Sequence, residues 1–425
     1  MKYIILSCLL FPLFAFGQGT VIDAEINSPA LGNTLQKVDI YLPPNYDSSD
    51  VNTKYQVILF LHGAGGNQDS YSFLIPILNN LITNQTIAPT IVIKPAGNQG
   101  TFGSSFYANS VANGNVEDYI IQDVLHYVDS VYNTYGTPNK RAIMGHSMGG
   151  IGSMRLGLKY YHLFGGGVAA HSGPLDSEGL NVVRQDIMNE AGSAAPYQYS
   201  PLWGVFNALT FAISGAYSPN LSKPIFYVDF PLDSDGNVID SVHQKWLVEN
   251  PFNYLKQIPQ GTNYPLYFDC GLQDELKIHF MNQMFADSLN SINYPYEYQT
   301  YTGGHSDQLA TRFPIGLQFL DSVMNPMVNT FDVPLQGDLT QFDIYPNPIS
   351  SHATIEYEIK TASKVSVEIY NELGQTIKIL HNAQQQAGKH LLEWKALQGL
   401  ANGMYYCKIT TKNQVTTKPL VILKK

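Results

Sequence analysis

The sequence predicts an α/β fold with a mostly parallel central sheet, followed by a small all-β sandwich domain. Three observations carry that prediction. From Val38 to about Met324, short apolar runs alternate with helical patterns. Within that stretch, Gly145-His146-Ser147-Met148-Gly149-Gly150 stands between the apolar run Arg141 to Met144 and a helical pattern from Ile151 to Tyr161. After residue 341 the period drops to two: Ile355, Tyr357 and Ile359 alternate with Thr354, Glu356 and Glu358. A chain of 425 residues, 44% hydrophobic and 14% charged, is long enough for two folded units and a large core.

At the start, Met1 to Gly17 has one lysine, an apolar run from Tyr3 to Phe16, and small residues at Ala15 and Gly17. This pattern predicts a cleavable secretory signal, cut before Gln18. The run is too short to span a bilayer, and Pro12 interrupts it. No later segment is long enough either. The formal net charge of -10, with no basic stripe, excludes nucleic acid as a partner. Beyond Cys8 only Cys270 and Cys407 remain, in different expected domains, which excludes a disulfide framework.

The inner strands are expected at Val57 to Leu61, Ile91 to Ile93, Ala142 to Met144, Gly167 to Ala170 and Leu266 to Phe268. Their continuous apolar character suits strands covered on both faces. Val116, Tyr119, Ile120, Val124, Leu125, Val128 and Val131 recur at helical spacing and predict one sheet-packed helix. Residues 175–255 break the rhythm and read as an irregular insertion over the carboxyl ends of the strands, where open α/β sheets bind ligands. Residues 325–340, with Pro326, Pro334 and Gly337, read as a linker. The remaining 341–425 form the antiparallel sandwich.

The chemistry is read from Ser147. A serine on a sharp strand-to-helix turn has its hydroxyl pushed out above the sheet, and Gly145 and Gly149 let the turn close. A neutral hydroxyl needs a base to become a nucleophile. His305, on the glycine loop Gly303-Gly304-His305-Ser306 after the last strand-like run, is placed to reach it, unlike His162, His171, His243 and His279. Asp274, on the loop after the Leu266 strand, is the candidate acid that orients the imidazole. Asp269, still inside the strand, and Glu275, expected to point away, are the alternatives. An oxyanion requires donors already in place. The amides of Met148 and Ala64 are the candidates, with Gly65 next to Ala64 as alternative, since His62-Gly63-Ala64-Gly65-Gly66 is the loop after the first central strand. His62 is read as a brace of this loop and His146 as a packed neighbour of the serine turn, neither as a reacting group. The histidines lack the paired spacing of a zinc protease and no phosphate loop or dinucleotide fingerprint occurs, so neither metal nor cofactor is expected.

Three stretches together resemble the esterase D family of α/β-hydrolases, which includes S-formylglutathione hydrolases and secreted feruloyl and acetyl esterases acting on plant polysaccharides. They are Ser28 to Gly32 leading to Val38 through Asp47, Leu61 to Gly66, and Gly145 to Gly150. The resemblance spans about residues 20–324 and implies an α/β-hydrolase fold with Ser147, Asp274 and His305 as its triad. It also implies carboxylic ester substrates, including polysaccharide-linked ones. Thioesters, siderophore esters and peptides are the alternatives on the same fold, and a non-catalytic adhesion protein is the alternative from another class. The tail resembles the type IX secretion sorting domain of Gram-negative bacteria, in Phe342 to Pro348, Ile369 to Gln375 and Leu400 to Tyr406. That implies handling by the type IX machinery and export through the periplasm to the surface or medium, with the tail removed afterwards.

Overall fold

In the computed structural model, residues 17–422 are described apart from 176, 193–198, 260, 327–337, 348, 372–374, 396–399 and 413. The expected signal, except for Gly17, and most of the expected linker lie outside the described residues. The chain divides into two compact units, Met1–Pro326 and Met327–Lys425.

The first unit is built on an eight-stranded sheet. Its strands are β1 (Thr20–Ser28), β2 (Thr34–Leu42), β3 (Gln56–Leu61), β4 (Thr90–Pro95), β5 (Arg141–His146), β6 (Val168–His171), β7 (Leu266–Gly271) and β8 (Glu297–Tyr301). The spatial order is β1-β2-β4-β3-β5-β6-β7-β8. β2 runs antiparallel to both neighbours, and the six strands from β4 to β8 are mutually parallel. All five expected inner strands are interior. Every residue of β3, β4, β5 and β7 is buried, as two covered faces require. The hairpin partner β1 lacks such a run: only Ala24, Ile26 and Ser28 of its nine residues are buried. Ile22, Ala24 and Ile26 alternate with Asp23, Glu25 and Asn27 along it, and it pairs with β2 over its whole length.

Successive residues of each inner strand point to opposite faces. On one face Leu59, Ile93, Ile143 and Phe268 pack under the helix after Ser147, α2 (Met148–Lys159). On the other, Ile58, Phe60, Met144 and Tyr267 pack under α1 (Leu74–Thr83) and α8 (Leu309–Met324). Burying each such side chain contributes about 1.5–3 kcal/mol, so both layers hold the sheet that carries the site.

Two expectations need correction. The helix over Val116 to Val131 is three consecutive pieces: α-helical Val116–Asp118, π-helical Tyr119–Val124 and α-helical Leu125–Val131. Val128 is buried, while Val131, the last residue of the third piece, is 52% exposed. The stretch 175–255 is less irregular than expected, for its described residues include four helices, α3 (Leu180–Ala191), α4 (Val205–Tyr217), α5 (Asp240–Val248) and α6 (Pro251–Leu255), with turns over 218–239. Its periodicity is hidden because these helices are short and bury apolar residues on two sides. Leu180 and Ile187 join Leu232 and Trp246 in a small separate core, Leu209 packs against the main core, and Ile213 packs against both. α7 (Ile278–Ser291) completes the layer beside β7.

The second unit is the expected sandwich. One sheet has β9 (Leu339–Tyr345), β10 (Ala353–Ile359) and β13 (Gly388–Trp394); the other has β12 (Thr376–Gln385), β11 (Ser363–Asn371), β14 (Gly403–Thr410) and β15 (Val415–Ile422). All pairings are antiparallel. Ile355, Tyr357, Val365, Val367, Ile369, Cys407 and Ile409 share one core. β9 begins at Leu339, so the linker ends before the expected Thr340, and the domain starts before residue 341.

Candidate active site

Ser147 joins β5 to α2 with φ 58° and ψ -124°, a left-handed conformation that a serine adopts only under constraint. The constraint is close packing. A side chain at Gly149 would lie on the carbonyl of Leu61, and one at Gly145 would collide with the backbone of Gly149. α2 begins at Met148, three residues before the expected Ile151, because the turn leads directly into the helix. Its N-terminus, with the Met148 amide, therefore lies beside the serine hydroxyl and favours negative charge there.

His305 Nε2 lies 2.8 Å from Ser147 Oγ, and His305 Nδ1 lies 2.8 Å from Asp274 Oδ2. With Nδ1–H donating to the carboxylate, Nε2 is left to accept the serine proton. Asp274 Oδ1 accepts from the Leu276 amide at 2.9 Å. Burial pushes the Asp274 carboxyl up, but His305 and the Leu276 amide outweigh it and hold the group below its usual range. The structure thus brings Ser147, His305 and Asp274 into one hydrogen-bonded chain.

Three side chains that the sequence reading left aside or assigned differently hold the His305 loop. His146 Nε2–H donates to the His305 carbonyl at 2.9 Å, and its Nδ1 accepts from Tyr71 at 2.8 Å. Burial keeps His146 neutral, its pKa lowered to about 3. Ser172 Oγ also donates to that carbonyl, at 3.3 Å. Glu275, expected to point away, instead accepts from the His305 amide at 2.8 Å, because the turn after Asp274 aims both carboxylates at the same loop. Only the proximity of these loops in space reveals this clamp; the chain separations give no periodic signal.

On the opposite side of Ser147, His62 Nδ1–H donates to Gly63 O at 2.8 Å, and Nε2 accepts from the Gly97 amide at 2.8 Å. His62 braces this loop, its pKa lowered to about 4 by burial. The Gly65 amide donates to Ser104 Oγ at 3.1 Å, so Gly65 is committed elsewhere. No described residue takes the Ala64 amide.

Asp269, the other alternative acid, belongs to a different network. It accepts from Arg312 Nε at 2.9 Å and Tyr267 OH at 2.7 Å, and pairs with His171 Nδ1 at 3.0 Å.

A family model for esterases matches residues 28–309, well over half of the chain. This chain belongs to the esterase family. Residues 343–423 match the model of a secretion system C-terminal sorting domain, which marks this esterase as secreted or surface-located. Among the described residues no helix is long and apolar enough to cross a membrane. An esterase of Mycobacterium tuberculosis is 31% identical over 137 residues, 32% of this chain and 29% of its own length. Endo-1,4-beta-xylanase Y of Acetivibrio thermocellus is 31% identical over 133 residues, 28% of this chain and 11% of its own length. The chain therefore spans less than a third of either relative. A solved ferulic acid esterase shares the fold at a TM-score of 0.50 and 18% identity, over 73% of this chain and 99% of that one.

The helices of the esterase insertion cover the site. Ser147 and Met148 open into a pocket roofed by Val183 of α3 and Phe206, Leu209 and Ile213 of α4, with Ile278 and Met281 of α7 at its side. Arg155 of α2 anchors this roof: its guanidinium binds Glu249 after α5 at 2.6 Å and Glu117 at 2.5 Å. Both Arg155 and Glu117 are buried, and losing one partner of such a pair costs about 3–5 kcal/mol.

Proposed function

We propose that this protein is an exported serine esterase that hydrolyses carboxylic esters through an acyl-enzyme. The observation that carries this reading is the continuous hydrogen-bonded chain from Ser147 Oγ through His305 to Asp274 on a strained turn. Ser147 Oγ attacks the ester carbonyl as His305 Nε2 takes its proton. The carbonyl oxygen gains charge beside the amides of Met148 and Ala64. Asp274 stabilises the resulting imidazolium. His305 then gives its proton to the departing alcohol oxygen, leaving the acyl group on Ser147. A water molecule, deprotonated by His305, attacks that acyl group, and the acid leaves as Ser147 recovers its proton. No cofactor enters any step.

A relative named as a xylanase brings polysaccharide-linked esters into this reading and leaves their acyl group open. The tail supports export by the type IX machinery. In a native host lacking residues 339–425, the enzyme is then expected to stay in the periplasm.

Ser147→Ala is the direct test. The variant should keep the wild-type thermal midpoint and lose hydrolysis of p-nitrophenyl esters by several orders of magnitude. Retained turnover would remove the serine-hydrolase reading.

A further inference from the structure

The pocket beside Ser147 is a narrow one, with about 60 Å³ of space. Its composition is one-sided. Among the described lining residues, only Ser147, Thr210 and the Trp246 indole carry a polar side-chain atom. Each of these is already engaged. Ser147 Oγ bonds His305, Thr210 Oγ1 donates to the Phe206 carbonyl at 2.7 Å, and Trp246 Nε1 donates to Ser218 Oγ at 3.0 Å. Thr210 Oγ1 alone keeps lone pairs free to accept, so a charge, or a hydroxyl placed elsewhere in this pocket, would lose its water and meet no waiting side-chain partner.

The half of the ester that enters is fixed by His305. The alcohol oxygen must lie beside His305 Nε2 to receive its proton, yet His305 does not line the pocket, whereas Ser147 and Met148 do. The alcohol therefore leaves on the His305 side, and the pocket receives the acyl chain.

We infer that the acyl group this esterase takes is an unsubstituted hydrocarbon chain longer than acetyl, rather than acetate or a phenolic acid such as ferulate. This rests on the reading of Ser147 as the nucleophile. Each methylene buried against Val183, Leu209 and Ile213 should raise kcat/KM about fourfold until the pocket is full. A phenolic hydroxyl should lower it by about ten- to a hundredfold relative to the same acid without it.

The full chain is tested on p-nitrophenyl acetate, butyrate, hexanoate and octanoate, and on methyl cinnamate beside methyl 4-hydroxycinnamate. Rising kcat/KM from acetate through hexanoate, with cinnamate preferred over 4-hydroxycinnamate, is the expected result. Acetate cleaved as well as hexanoate, or 4-hydroxycinnamate as well as cinnamate, overturns the inference and leaves the esterase reading standing. No turnover of any ester defeats that reading, and the inference with it. Leu209→Trp on α4 and Val183→Trp on α3 fill the pocket from two helices. Each should lower the octanoate-to-acetate ratio of kcat/KM at least tenfold. A wild-type ratio in both, with both folded by circular dichroism, places the acyl chain elsewhere and overturns the inference.

Discussion

Two histidine–aspartate pairs lie at the carboxyl end of the same sheet, and they differ in what surrounds them. His305 pairs with Asp274 at 2.8 Å, and His171 with Asp269 at 3.0 Å. His171 is the last residue of β6 and Asp269 lies inside β7, so hydrogen bonds of the sheet already fix both backbones. The second nitrogen of His171 is buried against α8, where Gly316 leaves it room, and it has no partner among the described residues. His305 and Asp274 sit on loops instead. His146, Ser172 and Glu275 hold His305, and its second nitrogen meets a hydroxyl at the mouth of a pocket. The same two residue types thus build a core brace where the strand fixes them. Where a loop carries them to a serine and other side chains supply the rigidity, they form the hydrogen-bonded chain proposed above as a proton relay.

The largest effect expected is on the loop pair. Asp274→Asn should lower kcat by about 10⁴-fold with little change in thermal midpoint, because an amide neither stabilises the imidazolium nor fixes its tautomer. Asp269→Asn should do the reverse. Burial raises the Asp269 carboxyl, but His171, Tyr267 and Arg312 together hold it low, so its charge is well compensated. Removing that charge leaves the Arg312 guanidinium without its buried partner and should cost about 3–5 kcal/mol in urea unfolding, with turnover falling less than tenfold. If the two variants exchange phenotypes, the roles assigned to the two pairs are exchanged.

A smaller effect sharpens the comparison through the histidines that brace the site. His146 and His62 are buried neutral, with pKa values lowered to about 3 and about 4. Unfolded, both titrate near 6.5, so below that pH the unfolded chain binds protons that the native protein does not. Stability is flat from this source above about pH 6.5 and falls as the pH drops toward 4, by about 1.4 kcal/mol per unit for each histidine. His146→Gln should remove about one proton from that slope in urea unfolding between pH 6 and 4.5. An unchanged slope would mean that His146 is not buried neutral. The smallest effect is that of Glu275→Ala, which should lower kcat about tenfold by loosening the His305 amide while the thermal midpoint barely moves. Equal loss of kcat and stability would make Glu275 a structural residue only.

The inner strands were legible because strands covered on both faces must be apolar at every position, a signal local to each run. The turn at Ser147 was legible because only small residues fit where Gly145 and Gly149 meet neighbouring backbone. The period-two tail was legible for the same local reason, with Tyr357 and Val367 buried between polar neighbours. β1 carries the same alternation, Ile22, Ala24 and Ile26 between Asp23, Glu25 and Asn27, but lies before Val38, where the reading of the fold began. The exposure of Val131 was not legible, since its spacing matches the buried face and only its place at the end of the helix leaves it uncovered. The helices over 175–255 were hidden because they serve a pocket and a small core at once, which blurs a single apolar stripe.

Sequence by itself determined the fold class, the two units and a short set of candidate residues, because these depend on chain-local patterns of apolar and small residues. Only the tertiary structure separates Asp274, Asp269 and Glu275 by what each contacts. All three are carboxylates within seven positions, and what distinguishes them is the group each one faces: the imidazole of His305, the guanidinium of Arg312, or the amide of His305. The same holds for the pocket, whose apolar character comes from side chains on α2, α3, α4 and α7 that meet only when the sheet folds beneath them. Contacts between residues distant in the chain are set by packing, and packing leaves no periodic trace in the sequence.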